Sequence, residues 1–122
     1  MADIPILIGI KGQLLGRTIL VDQDQKLSFG RDENNDITID DDGVSRKHGE
    51  LSFDNGTLWL QDSGSRNGIY VNGNRIVGHK ALKVNDEILI GEHVLRVAWQ
   101  DSTLDDLEQE SPIKKRRWFW PF

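Results

Sequence analysis

Asn55-Gly56-Thr57-Leu58-Trp59-Leu60-Gln61-Asp62-Ser63-Gly64-Ser65-Arg66-Asn67-Gly68-Ile69-Tyr70-Val71-Asn72-Gly73 holds the pattern that decides the fold. Leu58 and Leu60 alternate with Trp59 and Gln61, and Ile69 and Val71 flank Tyr70. Successive side chains of a strand point to opposite faces, so this period of two marks strands with one face buried. The Asn-Gly pairs at 55–56, 67–68 and 72–73 supply the left-handed conformations that tight turns need.

Outward from this stretch the same texture continues. Short runs of Ile, Leu, Val and aromatics alternate with Gly, Asn and Asp clusters from residue 4 to 99. Strands are expected near 4–10, 15–21, 26–30, 37–39, 49–53, 57–61, 69–71, 75–77, 87–91 and 94–99. No stretch before residue 100 keeps a helical period over three turns. The expectation is an all-β, two-sheet sandwich of about ten short strands. At Asp101 the pattern stops. Residues 101–110 contain five acids and no base, Ser111-Pro112 breaks any helix there, and Lys114-Lys115-Arg116-Arg117 precedes Trp118-Phe119-Trp120-Pro121-Phe122. The chain therefore divides into a domain over 1–100 and, over 101–122, an acidic linker followed by a basic-aromatic tail.

The 122 residues suit one domain, and 37% apolar with 29% charged residues is a globular balance. The absence of cysteine excludes disulfides, thiolate zinc sites and thiol catalysis together. Apolar runs such as Ile4 to Ile10 are far shorter than the ~20 residues of a membrane helix. With no basic region leading into an apolar one at the start, a cytoplasmic protein is expected. Residues 1–100 carry fifteen acids and eleven bases, which argues against broad contact with nucleic acid. Any anion must be held by a local arrangement of bases.

Three polar clusters at strand ends provide one: Gly30-Arg31, Ser45-Arg46-Lys47-His48 and Ser63-Gly64-Ser65-Arg66-Asn67-Gly68. Guanidinium gives bidentate, charge-assisted bonds to phosphate, and hydroxyls and backbone N–H groups complete such a shell. The order of these clusters, followed by Ile69-Tyr70-Val71-Asn72-Gly73 and closing on Asn85-Asp86-Glu87-Ile88-Leu89-Ile90-Gly91, resembles the forkhead-associated (FHA) domain. The resemblance runs from roughly residue 4 to 99. It implies an FHA-type sandwich of about eleven strands in two sheets, acting as a non-catalytic adaptor in Ser/Thr kinase signalling that binds phosphothreonine in a partner protein.

By position, the resemblance implies that Arg31 pairs with the phosphate and that Ser45 donates its hydroxyl to it. Arg46 would contact phosphate or peptide backbone, and Asn67 would hold the peptide main chain through its amide. Arg66 stands where the family often has Thr, so its contact with phosphate or an acidic side chain is a departure. Gly30, His48 and Gly68 are implied to be architectural. No cofactor is implied.

Other readings carry less. Ser45 and His48 look superficially like parts of a nucleophilic triad, but no strained Gly-x-Ser-x-Gly elbow occurs, nor any P-loop, His-Glu-x-x-His or dinucleotide fingerprint. Asp32-x-Asn34-x-Asp36 opens like a calcium loop, but Ile37 stands where Gly is needed and Gly43 where a bidentate Glu is needed. The run Asp40-Asp41-Asp42 would instead repel acidic peptides. An alternative function is a phospho-independent scaffold or assembly factor whose tail at 114–122 docks a partner or a membrane surface. Thr103, with an acid three residues on, is a candidate phosphorylation site.

Overall fold

The computed structural model describes residues 3–101. They form eleven strands: β1 (Asp3–Lys11), β2 (Thr18–Leu20), β3 (Lys26–Gly30), β4 (Ile37–Thr38), β5 (Gly49–Asp54), β6 (Thr57–Asp62), β7 (Ile69–Val71), β8 (Asn74–Arg75), β9 (His79–Leu82), β10 (Glu87–Ile90) and β11 (His93–Asp101). A single 3-10 turn, Gly12–Leu14, is the only helical element among the described residues. The tail from 102, including Thr103 and 114–122, lies outside the described residues.

The strands form two sheets, in the orders β2-β1-β11-β10-β7-β8 and β4-β3-β5-β6-β9. All pairs are antiparallel except β3 with β4. The inward faces are written in the period of two: Leu51 and Phe53 on β5, Leu58 and Leu60 on β6, Ile69 and Val71 on β7, Ile88 and Ile90 on β10, Leu95 and Val97 on β11 are all buried. Each such side chain contributes roughly 1.5–3 kcal/mol of apolar transfer, so the two rows together hold the sandwich closed.

Two of the Asn-Gly pairs make the expected hairpins. Asn55 (φ 52°) and Gly56 (φ 79°) join Asp54 to its partner Thr57, and Asn72 (φ 53°) and Gly73 (φ 89°) join Val71 to Asn74. Both central residues are left-handed, as this type of two-residue hairpin requires. The third pair differs, because only Gly68 (φ 83°) is left-handed and Asn67 is not. That pair sits in the loop between β6 and β7, where the Asn67 side chain has another task.

The remaining differences from the expected strands are local. Leu15 N–H closes the 3-10 turn on the Gly12 carbonyl, and Arg17 N–H makes a further turn onto the Leu14 carbonyl, so the second strand starts only at Thr18. β9 was not expected, since its only buried residue is Leu82 and its first residues are His79 and Lys80. It pairs with β6 nonetheless, from Gln61 opposite His79 to Leu58 opposite Leu82.

Candidate functional site

At one end of the sandwich the loops β3–β4, β4–β5 and β6–β7 are laced to one another. Gly30 ends β3, and Arg31 follows it with its N–H donated to the Ser45 carbonyl at 2.9 Å. The Arg31 guanidinium donates from Nε to the Val44 carbonyl at 3.1 Å, which aims its other two nitrogens away from the loop. Neither has a protein partner among the described residues. The Asn67 amide donates from Nδ2 to the Gly43 carbonyl at 2.8 Å, leaving Oδ1 open. Adjacent carbonyls of one loop thus hold the two groups that face solvent from the loops on either side.

Ser45 and His48 bind this arrangement from beneath. His48 is fully buried, its Nδ1 accepting the Ser45 N–H at 3.0 Å. Nε2 therefore carries the proton and donates to the Gly68 carbonyl at 2.9 Å. One neutral ring spans the two loops, which uses both of its nitrogens. The Ser45 hydroxyl oxygen accepts the Arg66 N–H at 3.0 Å, so its own O–H proton points outward as a donor. His48 bonds to the backbone N–H of Ser45, not to its hydroxyl, and no nucleophile–base pair exists here.

The structure brings Arg31, Ser45, Arg46, Arg66 and Asn67 to a single end, with Arg31 and Ser45 half-buried and the other three exposed. Arg31, Arg46, Lys47 and Arg66 all lack an ion-pair partner among the described residues. In a chain of net charge −5, four cations without ion pairs on adjoining loops are the local arrangement of bases that holding an anion requires. Gly30 and Gly68 are the close approaches that let the loops meet. A Cβ on Gly68 would stand 2.5 Å from Arg75 Nε, and its φ of 83° also disfavours any side chain.

The residues that resembled a calcium loop are caps of the β3–β4 turn. Asp32 Oδ1 accepts the Asn34 N–H at 3.0 Å, and Asp36 Oδ2 accepts the Ser28 N–H at 2.9 Å. Among the described residues no group of three or more His, Asp or Glu is placed to hold a metal ion.

Several contributors lie outside the three motifs. Asp62 organises the β6–β7 turn by accepting the N–H groups of Gly64 and Ser65 on Oδ1, at 2.9 and 2.8 Å. Buried Asn35 donates to the Arg46 carbonyl at 2.7 Å. Asp41 and buried His93 form a bond of 2.8 Å between Oδ2 and Nε2, while His93 Nδ1 accepts the Gln13 N–H at 2.9 Å. The Gln13 side chain in turn clasps the Asp40 backbone through both of its amide atoms. The Gly43 N–H bonded to Asp41, with His93 beside it, holds the Asp41 carboxyl below the usual carboxylate range. The turn-forming run Asp62-Ser63-Gly64-Ser65 foreshadows Asp62; no local signal announces His93, which meets Asp41 only through the fold.

Residues 27–91 match the family model described as FHA domain. Over 87 residues the chain is 38% identical to the glycogen accumulation regulator GarA of Mycolicibacterium smegmatis, covering 71% of this chain and 54% of GarA. It is 37% identical over 87 residues to the oxoglutarate dehydrogenase inhibitor of Corynebacterium efficiens, covering 71% of this chain and 60% of the inhibitor. The chain thus spans a little over half the length of these curated relatives. A solved FHA domain, studied for phosphothreonine-dependent FHA domain interactions, superposes with a TM-score of 0.68 at 30% identity, covering 77% of this chain and 94% of that one.

Proposed function

Because the chain belongs to the FHA-domain family, a family of non-catalytic binding modules, we propose that it recognises a phosphorylated threonine in a partner protein. The observation that carries this reading is the convergence of Arg31, Ser45 and Asn67 on one loop end, each with an outward group that no other part of the described chain uses.

The two outward nitrogens of Arg31 suit a phosphate dianion, and its Nε bond to Val44 pre-orients them at low entropic cost. The Ser45 O–H donates to a second phosphate oxygen. Arg46 and Arg66, both exposed, supply further charge from the neighbouring loops. Asn67, anchored through Nδ2, offers Oδ1 to a peptide N–H and so holds the main chain of an extended peptide. No bond is made or broken, and the site works by complementarity alone. A threonine mark requires a Ser/Thr kinase upstream. The names of the two relatives, a regulator of glycogen accumulation and an inhibitor of oxoglutarate dehydrogenase, support a partner that is itself a metabolic enzyme under control.

A phosphothreonine peptide array probed with wild-type and Arg31→Ala protein tests the assignment. Wild type should bind selected peptides at micromolar dissociation constants, about −8 kcal/mol, and only when they are phosphorylated. Arg31→Ala should weaken them at least about tenfold, because a charge-assisted contact contributes more than a neutral one. Equal affinity in the two proteins, or equal binding of unphosphorylated peptides, overturns the reading.

A further inference from the structure

Between Ser63 and Asn85 the chain carries Arg66, Arg75, Lys80, Lys83 and His79 and not one acidic residue, although its net charge is −5. The fold lays this segment along one flank. β8 is the edge of one sheet and β9 the edge of the other, so the chain from 74 to 80 crosses the side of the sandwich where both sheets end.

A groove of about 280 Å³ opens there, lined by Asn72, Arg75, Val77, His79 and Lys80 among others. Val77 is 91% exposed at its rim and offers the groove an apolar surface. The groove begins where the phosphate site ends, because the Arg75 side chain lies against the α-carbon of Gly68, next to Asn67. Arg75 and Lys80 have no ion-pair partner among the described residues. The acids on the adjoining strands and turn are committed elsewhere: Asp62, bonded to Gly78 through its backbone, accepts the Gly64 and Ser65 N–H groups, Asp86 accepts from Asn72 and the Lys83 N–H, and Glu87 pairs with Arg96. The β4–β5 loop, whose Gly43 carbonyl holds Asn67, presents the exposed carboxylates of Asp40 and Asp42. The site therefore sits on a boundary between an acidic loop and a basic flank.

We propose that this groove is a second subsite of the phosphopeptide surface, and that it receives an acidic stretch of the same partner chain adjoining the phosphothreonine. Arg75 and Lys80 take its carboxylates, and exposed Val77 packs against an apolar side chain between them. The proposal rests on the phosphothreonine reading above and deepens it. It also assigns a direction, since a peptide that runs from the Asp40–Asp42 loop towards Arg75 must be acidic on the Arg75 side only.

The test uses isothermal titration of the full chain with three peptides that share one phosphothreonine core. The first is the core alone, and the others add a six-residue Asp/Glu-rich extension on the amino or the carboxyl side, a reach of roughly 20 Å. At low salt one extension, not both, should tighten binding about tenfold, and the gain should shrink as salt rises. The variant Arg75→Gln/Lys80→Gln should bind the core as wild type does and lose the gain. Lys80→Gln alone, placed away from the Gly68 turn, should lose part of it with the core affinity unchanged. No gain from either extension, or a gain that survives the double variant, overturns the subsite. Failure of the core peptide itself to bind overturns instead the phosphothreonine reading beneath it.

Discussion

A side chain at position 30 would put its Cβ 2.2 Å from the Arg46 carbonyl oxygen and 2.9 Å from Asn35 Nδ2. Both atoms are fixed, since that carbonyl accepts the Asn35 amide at 2.7 Å and the Asp32 N–H at 3.3 Å. Gly30→Ala must therefore push the β4–β5 loop away from β3 instead of finding space. It should cost roughly 1–3 kcal/mol, read as a lower urea midpoint, and weaken phosphopeptide binding through the displaced Arg31 and Ser45. A midpoint and an affinity equal to wild type would show that the loops do not need this approach. Gly30 and Arg31 were legible in the sequence as a pair at the end of an apolar run. What makes the glycine necessary was not, because the carbonyl it faces belongs to a loop that only the folded chain brings near. His48 is similar: the Ser-Arg-Lys-His spacing is visible, but its bond to the Gly68 carbonyl, twenty residues away, is a product of the fold.

The β4–β5 loop is the element on which the site depends, and neighbours hold it along its length. Gln13 clasps Asp40, His93 meets Asp41, Asn35 holds the Arg46 carbonyl, and from within the loop His48 supports Ser45. Asp41 is held below its ordinary value of 3.8, first by the Gly43 N–H and then by His93. A carboxyl lowered by folding stabilises the native state above its ordinary value, and that contribution drains away as pH falls through the lower folded value. As pH falls below about 4, wild type should thus lose melting temperature faster than Asp41→Asn, which has no charge there to lose. Parallel melting curves of the two proteins across that range would remove Asp41 from this role. In the sequence Asp40-Asp41-Asp42 reads as one acidic run. The division of labour within it appears only when β11 starts beside it. The same limit hid β9, whose exposed His79 and Lys80 erase the period of two that marked the other strands. Its pairing with β6 rests on the backbone ladder, on buried Leu82 and on the His79 ring set edge-on to Trp59, centroids 5.2 Å apart.

Across the whole molecule, β11 is the strand that separates site from tail. It lies between β1 and β10 in the larger sheet and starts at His93, whose ring touches the site loop. It ends at Asp101, opposite Asp3 of β1. At ~3.3 Å per residue its nine residues place that end roughly 26 Å from the start, at the far pole of the sandwich. The described chain thus ends at the pole away from the phosphate site. We propose on this ground that 1–100 is a self-sufficient binding domain and that the acidic linker and basic-aromatic tail serve a separate contact. A chain ending at residue 101 keeps every strand, so its melting temperature should stay close to that of the full chain. Its dissociation constant for a core phosphothreonine peptide should agree within about twofold, the spread expected when the removed residues share no partner with the site. If truncation tightens the peptide, the acidic linker competes for the basic surface, and the separation fails. Co-sedimentation with anionic vesicles reads the tail itself: Lys114 to Arg117 contribute about 1 kcal/mol each near such a surface, so the full chain should pellet and the truncated one should not. If the full chain stays in the supernatant with the truncated one, the tail's contact is left to a protein, since the body of the domain, with its excess of acids, has no comparable attraction to an anionic membrane.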